Sequence, residues 1–270
     1  METTVQQNGL TFVSRGRTSE DVIRSIQSPA FTESWYPISH ATLLDITERC
    51  LFSLNLQIDP LSKKFGVQKD GQRMFAGFRL DNQDSDLLDA DGRPVYAFSI
   101  GLINSTDKSV AAKLVFGANI ILTDAIVYSG EQTISRKHTK NIMRDIEILV
   151  NEALSKFPLF KKYQSDLFSS LTTTFVTEEQ VNDILIRAAK CDAIPFSYIK
   201  KVLNEWENPQ YPMCNIRSAW ALYNCFSITL KESFEKNAII ASERTILLTQ
   251  LFDQTFVKNQ SPDSNSVVIE

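Results

Sequence analysis

The spacing of apolar residues changes from helical to alternating along the chain and then back again. After Pro37-Ile38-Ser39, the residues Leu43, Leu44, Ile46, Cys50, Leu51 and Leu54 share one side of a 3.6-residue period. They predict a helix over 40–54 with Ser39 as its N-cap. His40, in its first turn, is expected at the surface. The period then drops to two. Strands are expected over 64–68 and 73–80, joined by Lys69-Asp70-Gly71-Gln72, because an Asp-Gly pair between apolar runs signals a hairpin. The acidic stretch 81–91 reads as a solvated loop; it lacks the central Gly and closing Glu of a calcium loop. Further strands are expected over 94–104, 109–116 and 119–128, with Gly117 as a turn or bulge between the last two, and a short one over 131–135.

Helical spacing returns at Ile142, Ile146, Leu149, Ala153 and Phe157, which predict a helix over 139–157. Helices follow over 160–172, 178–191, 196–205, 216–230 and 238–256. Thr177 ahead of Glu178-Glu179-Gln180 forms a capping arrangement, and Trp220, Tyr223 and Phe226 read as core. Residues 1–36 read as irregular except for a short helix over 19–28, and 259–270 as a flexible tail. The expected fold is α+β: an antiparallel sheet flanked by helices 40–54 and 139–157 in a core domain over 37–158, then an all-helical subdomain over 159–258.

Glycine usage supports this division. Seven of the nine glycines lie between Gly66 and Gly130 and none follows, as expected for turns and bulges of a sheet followed by helices. With 43% hydrophobic residues and 17 Phe among 270 residues, the chain can bury a real core. No apolar run reaches the length of a membrane span, and the start of the chain lacks a signal pattern, so a cytoplasmic protein is expected. Cys50, Cys191, Cys214 and Cys225 show no metal spacing and read as buried thiols in a reducing compartment. With His40 and His138 as the sole histidines, and no phosphate-binding, dinucleotide or nucleophile-elbow motif, neither a metal nor a cofactor is expected.

Charge changes the picture in the middle of the chain. Residues 104–163 carry nine Lys/Arg against six Asp/Glu, whereas the chain as a whole is at −4. Arg136, Lys137, Lys140 and Arg144 cluster where strand gives way to helix. Cations are disfavoured by the dipole at a helix start, yet the unpaired N–H groups there suit a phosphate. Together with Lys108 and Lys113 near strand ends, and His138 as an auxiliary donor, they are the candidate phosphate-holding residues of a nucleic-acid surface. The plain alternative is a solvated helix start. Phe75, Phe78, Tyr96, Phe98, Phe116 and Tyr128 alternate along strands; most are expected in the core, with some exposed as stacking surfaces. A different possibility is an enzyme built around Asp107, Lys108, Asp124 and His138, and another is a protein-interaction module that binds a host factor through an acidic helical surface.

The ordered string Gly71-Gln72-Arg73-Met74-Phe75, Asn104-Ser105-Thr106-Asp107-Lys108-Ser109, Gly117, Thr123-Asp124, Ser129-Gly130, Arg136-Lys137-His138-Thr139 and Trp220-Ala221-Leu222-Tyr223-Asn224 with Thr229 and Lys231 resembles the prophage- and plasmid-encoded domain-of-unknown-function family 932, over about residues 35 to 235. That family's pattern has Cys where Thr123 stands and Asn where Ala125 stands. The resemblance implies a mobile-element origin and the cytoplasm of a bacterial host, without an established activity. The order helix, hairpin, further strand and long helix is also similar to phage Redβ/RecT-type single-strand annealing proteins, which implies single-stranded DNA as the partner, a role in recombination and a homo-oligomer.

Overall fold

The computed structural model describes residues 17–135 and 141–258. Six antiparallel strands form a sheet in sequence order: β1 (Arg17–Thr18), β2 (Lys64–Gln68), β3 (Arg73–Asp84), β4 (Tyr96–Ser105), β5 (Ala112–Ile120) and β6 (Ala125–Ser135). Two helices, α1 (Glu20–Ser25) and α2 (His40–Ser53), come between β1 and β2. After the sheet come α3 (Ile142–Leu154), α4 (Phe157–Thr173), α5 (Glu178–Lys190), α6 (Ile199–Glu207), α7 (Ala219–Lys236) and α8 (Ala238–Phe256). The fold is α+β, with helices on both sides of the sheet. Among the described residues, no helix is long and apolar enough to cross a membrane.

Alternation along the strands gives the sheet two apolar faces. Met74, Phe78, Phe98, Leu102, Leu114 and Phe116 belong to a buried cluster that includes residues of α2, α3 and α4. Its aromatic rings interlock across the layers: Phe98 with Phe157 at 5.8 Å and Tyr96 with Phe168 at 5.1 Å. The cluster continues through Phe168 and Trp220, 4.8 Å apart, into α7 and α8. On the other face Phe75, Ile103, Val115, Ile126 and Tyr128 pack with Phe234 of α7 and Ala238, Ile239, Ala241 and Ile246 of α8. The C-terminal helices therefore share the core of the sheet. Side-chain caps set several helix starts: Ser19, Ser39, Ser218 and Asn237 each accept from a backbone amide, and Thr177 with Gln180 completes a capping box.

Several expectations are corrected. Of the two readings of Gly117, the bulge is found and the turn is not: the residue lies inside β5 at a register shift, and the turn comes at residues 121–124. Asp81 to Asp84 extend β3 and do not belong to a solvated loop. Further along, the Asp89 carboxylate accepts from the amides of Asp91 and Arg93. Helix α3 ends at Leu154, and Phe157 instead opens α4, with Pro158 tolerated in the first turn. Cys191 is exposed, unlike Cys50, Cys214 and Cys225. All six strand aromatics are buried, as expected for most of them, so none is an exposed stacking surface. His40 is fully buried.

Candidate nucleic-acid interface

One end of the sheet gathers the β2–β3 turn, the β4–β5 turn and the segment that leads into α2. In the first turn, Lys69, Asp70 and Gly71 all adopt positive φ (48°, 54° and 86°), a left-handed bend that reverses the chain within a few residues. In the second, Lys108 also has positive φ, at 65°. Asp107 makes the turn possible: its Oδ1 accepts from the amide of Ser109 at 3.0 Å and from the Ser109 hydroxyl.

Asp107 also joins the two turns. Its Oδ2 accepts from Lys69 Nζ at 3.4 Å and lies 3.5 Å from Arg73 Nε, which donates to Ser109 Oγ at 2.6 Å. Burial raises the Asp107 carboxyl, but hydrogen bonds from Ser109 and Lys69, with the charge of Arg73, outweigh it and hold it at about 2. A residue read as a catalytic candidate is thus an ionised anchor of a turn.

The segment before α2 is fastened to the same end. Asn104 Nδ2 donates to the carbonyl of Ile38 at 2.9 Å, and His40 Nε2 donates to the carbonyl of Gly71 at 2.8 Å. Just upstream, a bridge between Thr32 and Trp35 closes a tight turn, and exposed Phe31 stacks on Tyr36 with centroids 5.1 Å apart. This placement sets half-buried Trp35 beside exposed Lys108, whose Nζ lies 4.8 Å from the indole centroid. An ammonium over an aromatic ring, with two further cations in the adjoining turn, combines the two groups that single-stranded nucleic acids engage.

The other sequence candidates are distributed differently. Lys113 faces the side of the sheet that holds Val115, is largely covered, and pairs with Glu131 at 2.9 Å. Arg144 is exposed at the start of α3, a helix packed on the opposite face, and pairs with Asp145 at 2.8 Å. Arg136, Lys137, His138 and Lys140 lie outside the described residues, as do 1–16 and 259–270. The chain leaves the described fold towards them from Ser135, which pairs with Ala112 at the end of the sheet that carries Lys108. Asp124 sits in the β5–β6 turn, so the nine residues of β5, about 30 Å of strand, separate it from Asp107 and Lys108. The structure does not bring that proposed enzymatic set together.

Sequence reading missed Trp35, Lys69 and Arg73. Their pairing with Lys108 and Asp107 spans dozens of residues and leaves no local pattern. A hint was present in the Asp-Gly turn, whose flanking Lys69 must project from a sheet end. No protein-family model, curated protein or solved structure matches the chain.

Proposed function

We propose that the protein binds single-stranded nucleic acid, DNA in preference, through the end of the sheet formed by Trp35, Lys69, Arg73 and Lys108. On this reading it serves a phage or plasmid in recombination, as a homo-oligomeric strand-annealing protein. The observation that carries the reading is the Lys108 ammonium over the Trp35 ring beside Lys69 and Arg73. A base stacking on the indole takes the place held by the ammonium and releases that cation to the neighbouring phosphate. Arg136, Lys137, Lys140 and Arg144, with His138 as an auxiliary donor, add phosphate contacts along the strand, and Lys113 contributes once Glu131 yields its partner.

The test is fluorescence anisotropy of a labelled single-stranded oligonucleotide across a salt series. Wild type is expected to show a log–log salt slope of several units, falling by roughly 0.7 per phosphate contact removed in Lys69→Ala/Lys108→Ala and in Lys137→Ala/Arg144→Ala. Trp35→Ala is expected to lose about 1–3 kcal/mol of affinity with little change of slope, as for a lost stacking platform. Absence of binding at low salt, or slopes unmoved by both double variants, would overturn the reading.

A second reading, a host-protein partner, is favoured by Phe175 and Ile216, which are 71% and 67% exposed on stretches joined by a bridge between Phe175 and Ser218. Capture of one host protein that is lost in Phe175→Ser and kept in Lys108→Ala supports it; capture insensitive to Phe175→Ser removes it.

A further inference from the structure

The turn that carries Trp35 has a second aromatic side. The amide of Thr32 donates to the Trp35 carbonyl at 2.8 Å and the amide of Trp35 to the Thr32 carbonyl at 3.3 Å. The two residues therefore stand opposite each other across a two-residue tip, Glu33-Ser34. Side chains alternate along each arm and match across the pair. Thr32 and Trp35 share one face, and Phe31 and Tyr36 share the other. Trp35 meets the Lys108 ammonium at 4.8 Å, whereas the rings of Phe31 and Tyr36 stack on each other with an interplanar angle of 7°.

This second side is firmly mounted and open outward. Tyr36 is half-buried and packs against the core cluster that includes α2. Two residues on, Ile38 is fully buried and its carbonyl accepts from Asn104 Nδ2. Upstream, Ile26 lies against the β2–β3 turn, where a Cβ on Gly71 would stand 3.2 Å from its Cδ1. Phe31 rests on Tyr36 and is 68% exposed. A ring lying flat on a fixed neighbour, with most of its surface in water, offers a free π-face to a base.

The two faces set a geometric condition on a bound strand. Rings on opposite sides of a two-stranded turn are on the order of 10 Å apart, whereas stacked neighbours within one nucleic-acid strand are about 3.4 Å apart. A strand that places one base on Trp35 and another on Phe31 must therefore unstack and pass round the tip. Glu33, exposed at the tip, repels phosphate and keeps the backbone on the side of Lys69, Arg73 and Lys108.

We propose that the 31–36 turn is a divider. It parts two bases of a single strand, with Trp35 taking one and Phe31 the other, and so selects strands that unstack easily, pyrimidine-rich before purine-rich. This rests on single-strand binding at the Lys108 end of the sheet and goes beyond it by naming the class of strand. Purines stack on one another more strongly than pyrimidines, so a purine run gives up more on entering the site. Phe31 sets the preference, because without it a strand reaches Trp35 with its other bases still stacked.

The experiment is fluorescence anisotropy of the full chain at one fixed salt concentration, with labelled oligothymidylate and oligoadenylate of equal length. Wild type is expected to bind the thymidylate about fivefold or more tightly, the size of a modest difference in unstacking. Phe31→Ala and Phe31→Leu are each expected to weaken thymidylate binding by about tenfold or more, as for one lost base–aromatic stack, and to bring the two affinities together. Leucine keeps apolar bulk but has no π-face, so its loss separates stacking from a structural role; circular dichroism checks that both variants fold. Phe31→Trp is expected to keep affinity and preference. Equal or reversed affinities in wild type, a preference that survives in Phe31→Ala, or full affinity in Phe31→Leu would each overturn the divider, while binding weakened in Lys69→Ala/Lys108→Ala leaves the nucleic-acid surface standing. Failure of wild type to bind either oligonucleotide overturns both.

Discussion

Asn104 and His40, 64 residues apart, meet in the core: Asn104 Nδ2 donates to His40 Nδ1 at 3.0 Å, while His40 Nε2 faces the Gly71 carbonyl at 2.8 Å. A carbonyl only accepts, so the proton of a neutral imidazole sits on Nε2 and Nδ1 is the acceptor. The pair ties the start of α2, the β2–β3 turn and the end of β4 together. Those are the elements that hold Trp35, Lys69 and Lys108 in place, so this buried pair supports the proposed interface from behind.

The pair makes stability depend on pH. Burial lowers the His40 pKa below its ordinary value, more than the Gly71 carbonyl raises it. The unfolded chain takes up a proton near the ordinary value of about 6.5, but the folded chain does so only at lower pH. The stabilisation is complete above about 6.5 and is lost as pH falls through the depressed folded value. Urea unfolding at pH 7.5, 6.5 and 5.5 should show wild type losing stability over this range more steeply than His40→Gln, whose amide can donate and accept without titrating. Parallel profiles would show that another group titrates.

Strand β6 lies at the edge of the sheet, and α8 covers its unpaired backbone. The amide of Tyr128 donates to Thr245 Oγ1 at 3.0 Å, and Thr249 Oγ1 donates to the Tyr128 carbonyl at 3.4 Å. Uncovered edges invite pairing with other chains. Thr245→Val keeps the shape but strands a buried N–H, at a cost of about 1–3 kcal/mol. Faster hydrogen exchange at the Tyr128 amide and a lower urea midpoint are the expected results; an unchanged exchange rate would show that this bond does not protect the edge.

Two glycines should respond very differently to a methyl group. A Cβ at Gly117 would stand 2.1 Å from the Val127 carbonyl oxygen and 2.8 Å from the Tyr128 Cα, both backbone atoms. Gly117→Ala should therefore cost about 3 kcal/mol or more, since the strand itself must move. At Gly92 nothing lies within 4 Å, and the cost arises from φ of 76° alone, about 1 kcal/mol. Thermal unfolding of both variants gives the comparison, and equal effects would remove the steric account.

Much of the fold was legible because it rests on local patterns. The strand Lys64–Gln68 and the helix Ala238–Phe256 begin and end where their apolar spacing does, and Ser39 and Thr177 cap as their side chains dictate. Gly117 read as a turn or a bulge because glycine punctuates both; the bulge is there, but the close approach of β6 that requires a glycine becomes visible only once strands are paired. His40 looked exposed because histidine in a first turn ordinarily is, and its burial depends on Asn104 and Gly71. The proposed interface was half legible: Lys108 was named, but its ring partner Trp35 and its neighbours Lys69 and Arg73 come from distant segments.

Asp107 allows stability and binding to be moved in opposite directions. Its carboxylate locks the β4–β5 turn and draws on Lys69 and Arg73, so it competes with phosphate for both cations. Its pKa lies near 2, so its stabilisation is present above the ordinary carboxylate value of about 3.9 and is lost as pH falls towards 2. Asp107→Asn should cost about 1–2 kcal/mol of stability at neutral pH. The same change leaves Lys69 and Arg73 unneutralised, so single strands should bind more tightly at low salt, with a slope steeper by up to roughly one unit. A merely structural role would weaken both properties together. Weaker binding by Asp107→Asn at a temperature where it is still folded would therefore place the nucleic-acid surface elsewhere on the molecule.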